Sequence, residues 1–255
     1  MIGIDDVLLT VAPDALKGIV KAIPNAIDKA RFKAFFGNPI LKSEHIYIVL
    51  DPYEHPISRQ RMVRGQARFI KKFHGRKKDI PIIGEDKVLG SCSIRVTKYS
   101  SEILSRFRSK DNKVKVVLDE EVMNSWDGTF FCFGSSDSNI KTFDIEQLPH
   151  NNLYSFAFDN KTGFRCFIVN GQQFSSGNRK DKGVLARFIN PHHEEHYIFI
   201  CAGLGEWGTS GTAYYLFDRW KELGKRFKKD KNFCLILEVD IQSDESAKEI
   251  YSFSL

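Results

Sequence analysis

Apolar positions along this chain fall into short continuous runs separated by polar turns, and two of the runs are followed by helical spacing. Tyr197 to Ala202 is an unbroken apolar run, as a strand buried on both faces would be. Gly203, Gly205, Gly208 and Gly211 follow it. Beyond them the apolar residues Ala213, Leu216, Phe217, Trp220, Leu223 and Phe227 recur at the spacing of one helix face. The pattern predicts a strand, a glycine-rich turn and an amphipathic helix.

Ile46 to Leu50, Val114 to Leu118, Thr129 to Phe133, Val184 to Ile189 and Phe233 to Val239 read as further strands. Tyr154 to Phe158 and Phe164 to Val169 flank Asn160-Lys161-Thr162-Gly163 as a hairpin, with Asn170-Gly171 as the next turn. Ile250 to Leu255 adds an edge strand. Ser93 to Thr97, rich in β-branched residues, reads as a strand, Ser100 to Phe107 as a helix, and Ile140 to Gln147 as a short helix. Strands alternating with helices, and meandering through 150–190, predict an α/β fold: a mixed, mainly parallel sheet with an antiparallel section.

Residues 1–42 stand apart. Pro13 and Asp14 open a helix carrying Leu16, Ile19, Val20 and Ile23, which Pro24 interrupts. A second short helix runs through Ile27, Ala30, Ala34 and Phe35 and ends at Gly37. We expect a helical N-terminal arm over 1–42, packed on the domain or on a partner, and one α/β domain over 43–255. Membrane contact is the competing reading, because Lys17, Lys21, Lys29, Arg31 and Lys33 flank the apolar residues.

The composition adds little until the charge is located. The net charge is +6 over 255 residues. Between Ile57 and Lys78 there are nine Lys or Arg and no acidic residue. Arg59, Arg61, Arg64, Arg68, Lys71, Lys72 and Arg76 surround a stripe of Met62, Val63, Ala67, Phe69, Ile70 and Phe73. Such a basic helix suits DNA, RNA or an acidic protein surface. The five cysteines show no metal spacing, and four lie in apolar runs, so reduced thiols and a cytoplasmic location are expected. No basic leader is seen, and no run approaches the ~18 apolar residues of a membrane span.

Two turns carry the candidate chemistry. Gly203-Leu-Gly205-Glu-Trp207-Gly208-Thr209-Ser210 contains Gly-x-Gly-x-x-Gly between strand and helix, where free backbone amides can meet a phosphate. A tight turn that merely lets Trp207 pack is the competing reading. A dinucleotide site would also want an acidic residue after the next strand; Glu238 or Asp240 would serve, at long spacing. Gly134-Ser135-Ser136-Asp-Ser138-Asn139 ends another strand with small hydrogen-bonding residues, one of which caps the next helix. Asp51 and Asp119 end two more strands, and all of these are expected around one crevice at the carboxyl ends of the strands.

A strand ending in Gly134-Ser-Ser-x-Ser-Asn139, then Arg187-Phe-Ile-Asn-Pro191, then Ala202-Gly-Leu-Gly-x-Trp-Gly-Thr209 resembles Rossmann-like domains of prokaryotic regulatory and defence-associated proteins. The resemblance covers residues 129–240. It implies nucleotide-ligand recognition or an effector role and supplies no settled activity.

His192-His193-Glu194-Glu195-His196 matches a zinc-protease pattern only on a helix; Pro191 before it and a strand after it predict a polar connection instead. Gly208-Thr-Ser210-Gly lacks the spacing of a nucleophile elbow, and no histidine is tied to a serine, so no catalytic residue, metal or cofactor is assigned. Glu206 reads as a solvent-facing carboxylate. The leading expectation is binding of a phosphate-bearing small molecule, a nucleotide first, by a sensor or effector. Nucleic-acid or protein binding through 57–78 is the alternative, and nucleotide hydrolysis the third.

Overall fold

The computed structural model describes residues 27–37, 45–51, 91–107, 113–148, 151–159, 162–227 and 231–255. The basic segment 57–78 lies outside these residues, as do residues 1–26 of the expected arm. Helix α1 (27–36) is followed by β1 (His45–Leu50), α2 (Ser91–Phe107), β2 (Lys113–Leu118) and β3 (Gly128–Phe133). Next come α3 (Ile140–Glu146), β4 (Ser155–Phe158), β5 (Arg165–Val169) and β6 (Gln172–Ser175). The chain ends with β7 (Lys180–Ile189), β8 (Tyr197–Gly203), α4 (Glu206–Arg226), β9 (Phe233–Asp240) and β10 (Ser243–Ser254).

Seven strands form one mixed sheet in the order β10-β9-β7-β8-β3-β1-β2. The run β8-β3-β1-β2 is parallel, whereas β7 is antiparallel to both β8 and β9, and β10 to β9. The 150–190 stretch divides: β4-β5-β6 make a separate antiparallel sheet, and β7 joins the large one. Asn170 (φ 47°) and Gly171 (φ 76°) supply the positive φ values of the tight β5–β6 turn.

Alternation along the buried strands sends successive side chains to opposite faces. Ile46, Ile48, Phe131, Phe133, Phe199, Leu235 and Leu237 meet α1, α2 and α4 on one face. Tyr47, Val49, Phe130, Cys132, Ile198, Ile200 and Ile236 meet Ile145 of α3 and Phe156, Phe167 and Val169 of the small sheet on the other. The layers are therefore helices, large sheet, then α3 with the small sheet. The five cysteines are free thiols, four of them buried. No helix among the described residues is long and apolar enough to cross a membrane.

The large sheet is half parallel, three strand pairings of six, where the sequence pattern predicts a mainly parallel one, because β7 and β10 run against their neighbours. One element also changes type. Residues 93–97 are the first turns of α2, which runs unbroken over Ser91–Phe107. Ser93, Val96, Ser100 and Leu104 are its buried face. Two of its hydroxyls are satisfied within the helix, Thr97 Oγ1 donating to Ser93 O at 2.7 Å and Ser100 Oγ to Val96 O at 2.8 Å. Packing overrides the β-branched local preference.

α1 is built into the core. Gly37 (φ 103°) ends it, its amide donating to Lys33 O at 3.0 Å. Phe32, Phe35 and Phe36 are buried, and the Phe36 ring lies 5.3 Å from Phe199, 5.8 Å from Phe131 and 6.0 Å from Trp220. Arg187 of β7, fully buried, joins the end of α1 to the start of β9. Its guanidinium donates to Phe35 O and Lys231 O and lies 5.0–5.4 Å from the Phe233, Tyr197 and Phe35 rings. Carbonyls and π faces replace the water that this charge has lost. Truncating Phe36 to alanine is expected to cost about 3–5 kcal/mol, read from urea unfolding. A peripheral arm would lose less than about 1 kcal/mol.

Candidate functional site

The parallel strands finish along one edge of the sheet, and chain order changes direction there: β2 lies on one side of β1 and β3 on the other. At this point Asp51 and Gly134 are neighbours. A Cβ built on Gly134 would stand 3.0 Å from Ser138 Oγ and 3.6 Å from Asp51 Cβ, and φ of 118° requires glycine. The Gly134 amide donates to Cys201 O at 3.0 Å, which sets the 134–139 turn beside the end of β8. The two sequence-predicted turns therefore share an edge.

Within the first turn, most polar groups hold the turn and α3. Ser135 Oγ donates to Asp137 Oδ1 at 2.5 Å, while Ser135 O accepts from the amides of Ser138 and Asn139 at 2.9 and 2.8 Å. Asn139 is the N-cap, its Oδ1 accepting from Thr142 N at 2.9 Å and its Nδ2 donating to Phe133 O at 3.1 Å. Asp119, fully buried, accepts from Ile140 N at 2.7 Å and Glu120 N at 3.0 Å. Its carboxylate thus sits at the start of α3. Ser136 is fully buried behind the turn.

In the second turn a carboxylate absent from the sequence-predicted set takes the anion position. Asp181 of β7 accepts from the Gly208 amide at 2.7 Å, from Lys182 N at 2.8 Å and from Ser176 Oγ at 2.8 Å. The Gly208 amide at the start of α4 is thus committed to a protein group. Gly203 donates to Thr209 Oγ1 at 2.9 Å, and Thr209 N to Gly205 O at 3.3 Å. A Cβ on Gly203 would lie 2.2 Å from Thr209 N, and one on Gly208 2.3 Å from Lys182 O. These two glycines let the helix start touch the β8 and β7 backbones respectively.

Two arginines reach this turn from opposite faces of the sheet. Arg95 of α2 donates through Nη2 to Ser210 Oγ at 3.1 Å and stacks 4.1 Å from the Trp207 ring. Its Nε lies 3.1 Å from Oδ2 of Asp244, a nearly buried carboxylate that also accepts from Tyr99 OH at 2.9 Å and from Ser210 Oγ. Arg165 of β5 donates to Leu204 O at 3.1 Å and pairs with Asp137 at 2.7 Å, so one side chain ties the two turns together. The Arg95 and Arg165 side chains keep 23% and 43% of their surface open to solvent. Neither arginine carries a local sequence signal.

Other candidates fall elsewhere. Glu206 is exposed, as expected, and accepts from Ser91 Oγ at 3.0 Å. Burial pushes the neighbouring Cys92 thiol up to about 12, which makes it a poor nucleophile at neutral pH. Glu238 is engaged by Lys180 and Lys182, each at 2.6 Å, and those contacts hold its carboxyl down at about 2. The 192–196 run forms turns between β7 and β8; His192 packs on Trp126 at 4.9 Å, and His196 Nδ1 lies 3.4 Å from Thr129 Oγ1. That is the amino end of β3, opposite the carboxyl edge. No family model, curated protein or solved structure matches the chain.

Replacing Gly208 with alanine is expected to destabilise the fold by about 2–4 kcal/mol, because backbone on both sides cannot yield. Asp181→Ala should cost about 1–3 kcal/mol by stranding the buried donors. A Gly208→Ala protein with an unchanged urea midpoint would disprove the packing role. Glu238→Gln should flatten the loss of stability as pH falls from about 4.5 towards 2, since the native carboxylate is stabilising above that window.

Proposed function

We propose that the chain binds a phosphate-bearing small molecule, a nucleotide first, at the carboxyl edge between the 134–139 turn and the start of α4. The observation that carries this reading is that Arg95 and Arg165 both reach the 203–210 turn, which follows β8, the strand beside β3 at the point where strand order reverses. Guanidinium groups suit phosphate because their fork of donors matches its oxygens, and Trp207 offers an aromatic surface for a base. With Asp181 holding the Gly208 amide, ligand charge would rest on the arginines more than on the helix start.

Binding fits better than turnover. Cys92 is a weak nucleophile, and His196 sits at the opposite end of β3. A sensor or effector role follows the resemblance to Rossmann-like regulatory domains. The nine cations of 57–78 support a second reading, nucleic-acid or acidic-protein binding.

The test is thermal unfolding with ATP, ADP, GTP, NAD and cyclic nucleotides. A ligand at about 100 times its Kd adds about 2.7 kcal/mol, or roughly 5–10 °C for a domain of this size. Trp207→Ala should abolish the shift while the protein stays folded by circular dichroism. If none of these ligands moves the transition and a mobility assay shows steeply salt-dependent DNA or RNA binding, the second reading replaces the first.

A further inference from the structure

Behind the 134–139 turn lies a group of polar side chains that the proposed crevice does not use. Ser136 Oγ, Glu146 Oε1 and the Tyr154 hydroxyl are each sealed from solvent and make no well-formed hydrogen bond among the described residues. Ser136 is 0% and Tyr154 4% exposed. Both approach the Glu146 carboxyl closely enough to favour its ionised form, as does the Phe156 amide of β4. The three come from the 134–139 turn, the end of α3 and the residue leading into the small sheet. Sealed polar atoms that are close but poorly aligned are costly, and a carboxylate there costs most.

We propose that Glu146, with Ser136 and Tyr154, is a protonation-dependent latch that holds the three-stranded sheet against the back of the 134–139 turn. This does not depend on the ligand reading. Burial outweighs the three donors and raises the Glu146 carboxyl to about 7. Among the described residues no cation compensates it. From the turn, Asp137 adds a repelling charge, itself engaged by Arg165. From the small sheet come only the tyrosine and the Phe156 amide, and around Tyr154 the thiols of Cys132 and Cys234. Lys141 of α3 is turned towards the carbonyls of Met123 and Ser125.

The sign follows from linkage. A carboxyl whose pKa is higher in the latched state than the ordinary 4.5 binds more protons latched than open. The latch is therefore tightest below about pH 4.5 and weakens as pH rises to about 7. Each pH unit in that window multiplies the opening equilibrium by up to about tenfold.

Hydrogen exchange of the full chain, corrected for intrinsic rate, tests this at pH 5 and pH 7.5. In the native protein the amides of β4–β6 should lose protection between the two values by tenfold or more, while those of β8 change far less. Glu146→Gln should abolish the difference. Tyr154→Phe removes a donor that favours the ionised form, so it should keep the dependence and move its midpoint to higher pH; it carries the test alone if Glu146→Gln fails to fold. An unaltered pH dependence in Glu146→Gln, a Tyr154→Phe midpoint that stays put, or equal changes in β8 would each overturn the latch.

Discussion

The contact on which this architecture turns is the Asp181 carboxylate against the first turn of α4. A carboxylate that is nearly buried is tolerable only when donors replace its water, and Asp181 has the Gly208 and Lys182 amides and the Ser176 hydroxyl. The positive end of a 21-residue helix adds to them, in a partly buried setting worth up to ~2 kcal/mol. Because the carboxylate must approach closely, side chains are excluded around it. A Cβ on Gly205 would lie 2.7 Å from Asp181 Oδ2, and one on Gly183 would meet the Gly208 carbonyl at 2.5 Å. Of the glycines from the end of β8 onward, Gly205 is thus the imprint of one internal ion, whereas Gly203 and Gly208 make room for backbone and Gly211 for Val239.

That imprint bears on how phosphate motifs are read. Gly-x-Gly-x-x-Gly between a strand and a helix signals close approach of something negative to backbone amides, and in this chain an aspartate supplies the charge at Gly208. The guanidinium groups at this edge are then those of Arg95 and Arg165, each already paired with a carboxylate, Asp244 and Asp137. A pair arranged this way is prealigned, and an incoming phosphate would compete with those carboxylates while losing little side-chain entropy.

Much of the fold is legible in the residue order because the inner strands are short apolar runs bounded by turn residues. β3, β8 and β9 are recognisable from Thr129–Phe133, Tyr197–Ala202 and Phe233–Val239, since burial on both faces leaves few polar positions, here Thr129 and Glu238. α2 is harder, because Ile94, Val96 and Thr97 favour a strand locally and only the buried Ser93, Val96, Ser100 and Leu104 reveal the helix face. Of the candidate site, the two turns are legible as glycine and serine clusters after strands. Asp181, Arg95 and Arg165 are not. They reach their partners across 27, 115 and 39 residues, and nothing in Lys-Asp-Lys or Ser-Ile-Arg announces such a contact.

β7 runs against both of its neighbours, and this has a geometric result. In a uniformly parallel sheet, the edge where strands finish receives side chains only from strand ends and the loops after them. A reversed strand brings its opening residues to that edge instead. Lys180, Asp181 and Lys182 therefore stand opposite Asp240, Val239 and Glu238, at the finishing end of β9. Variation that retunes the charge of this edge can consequently arise upstream of a strand, in the β6–β7 connection, while the loops that follow β1, β3 and β8 remain untouched.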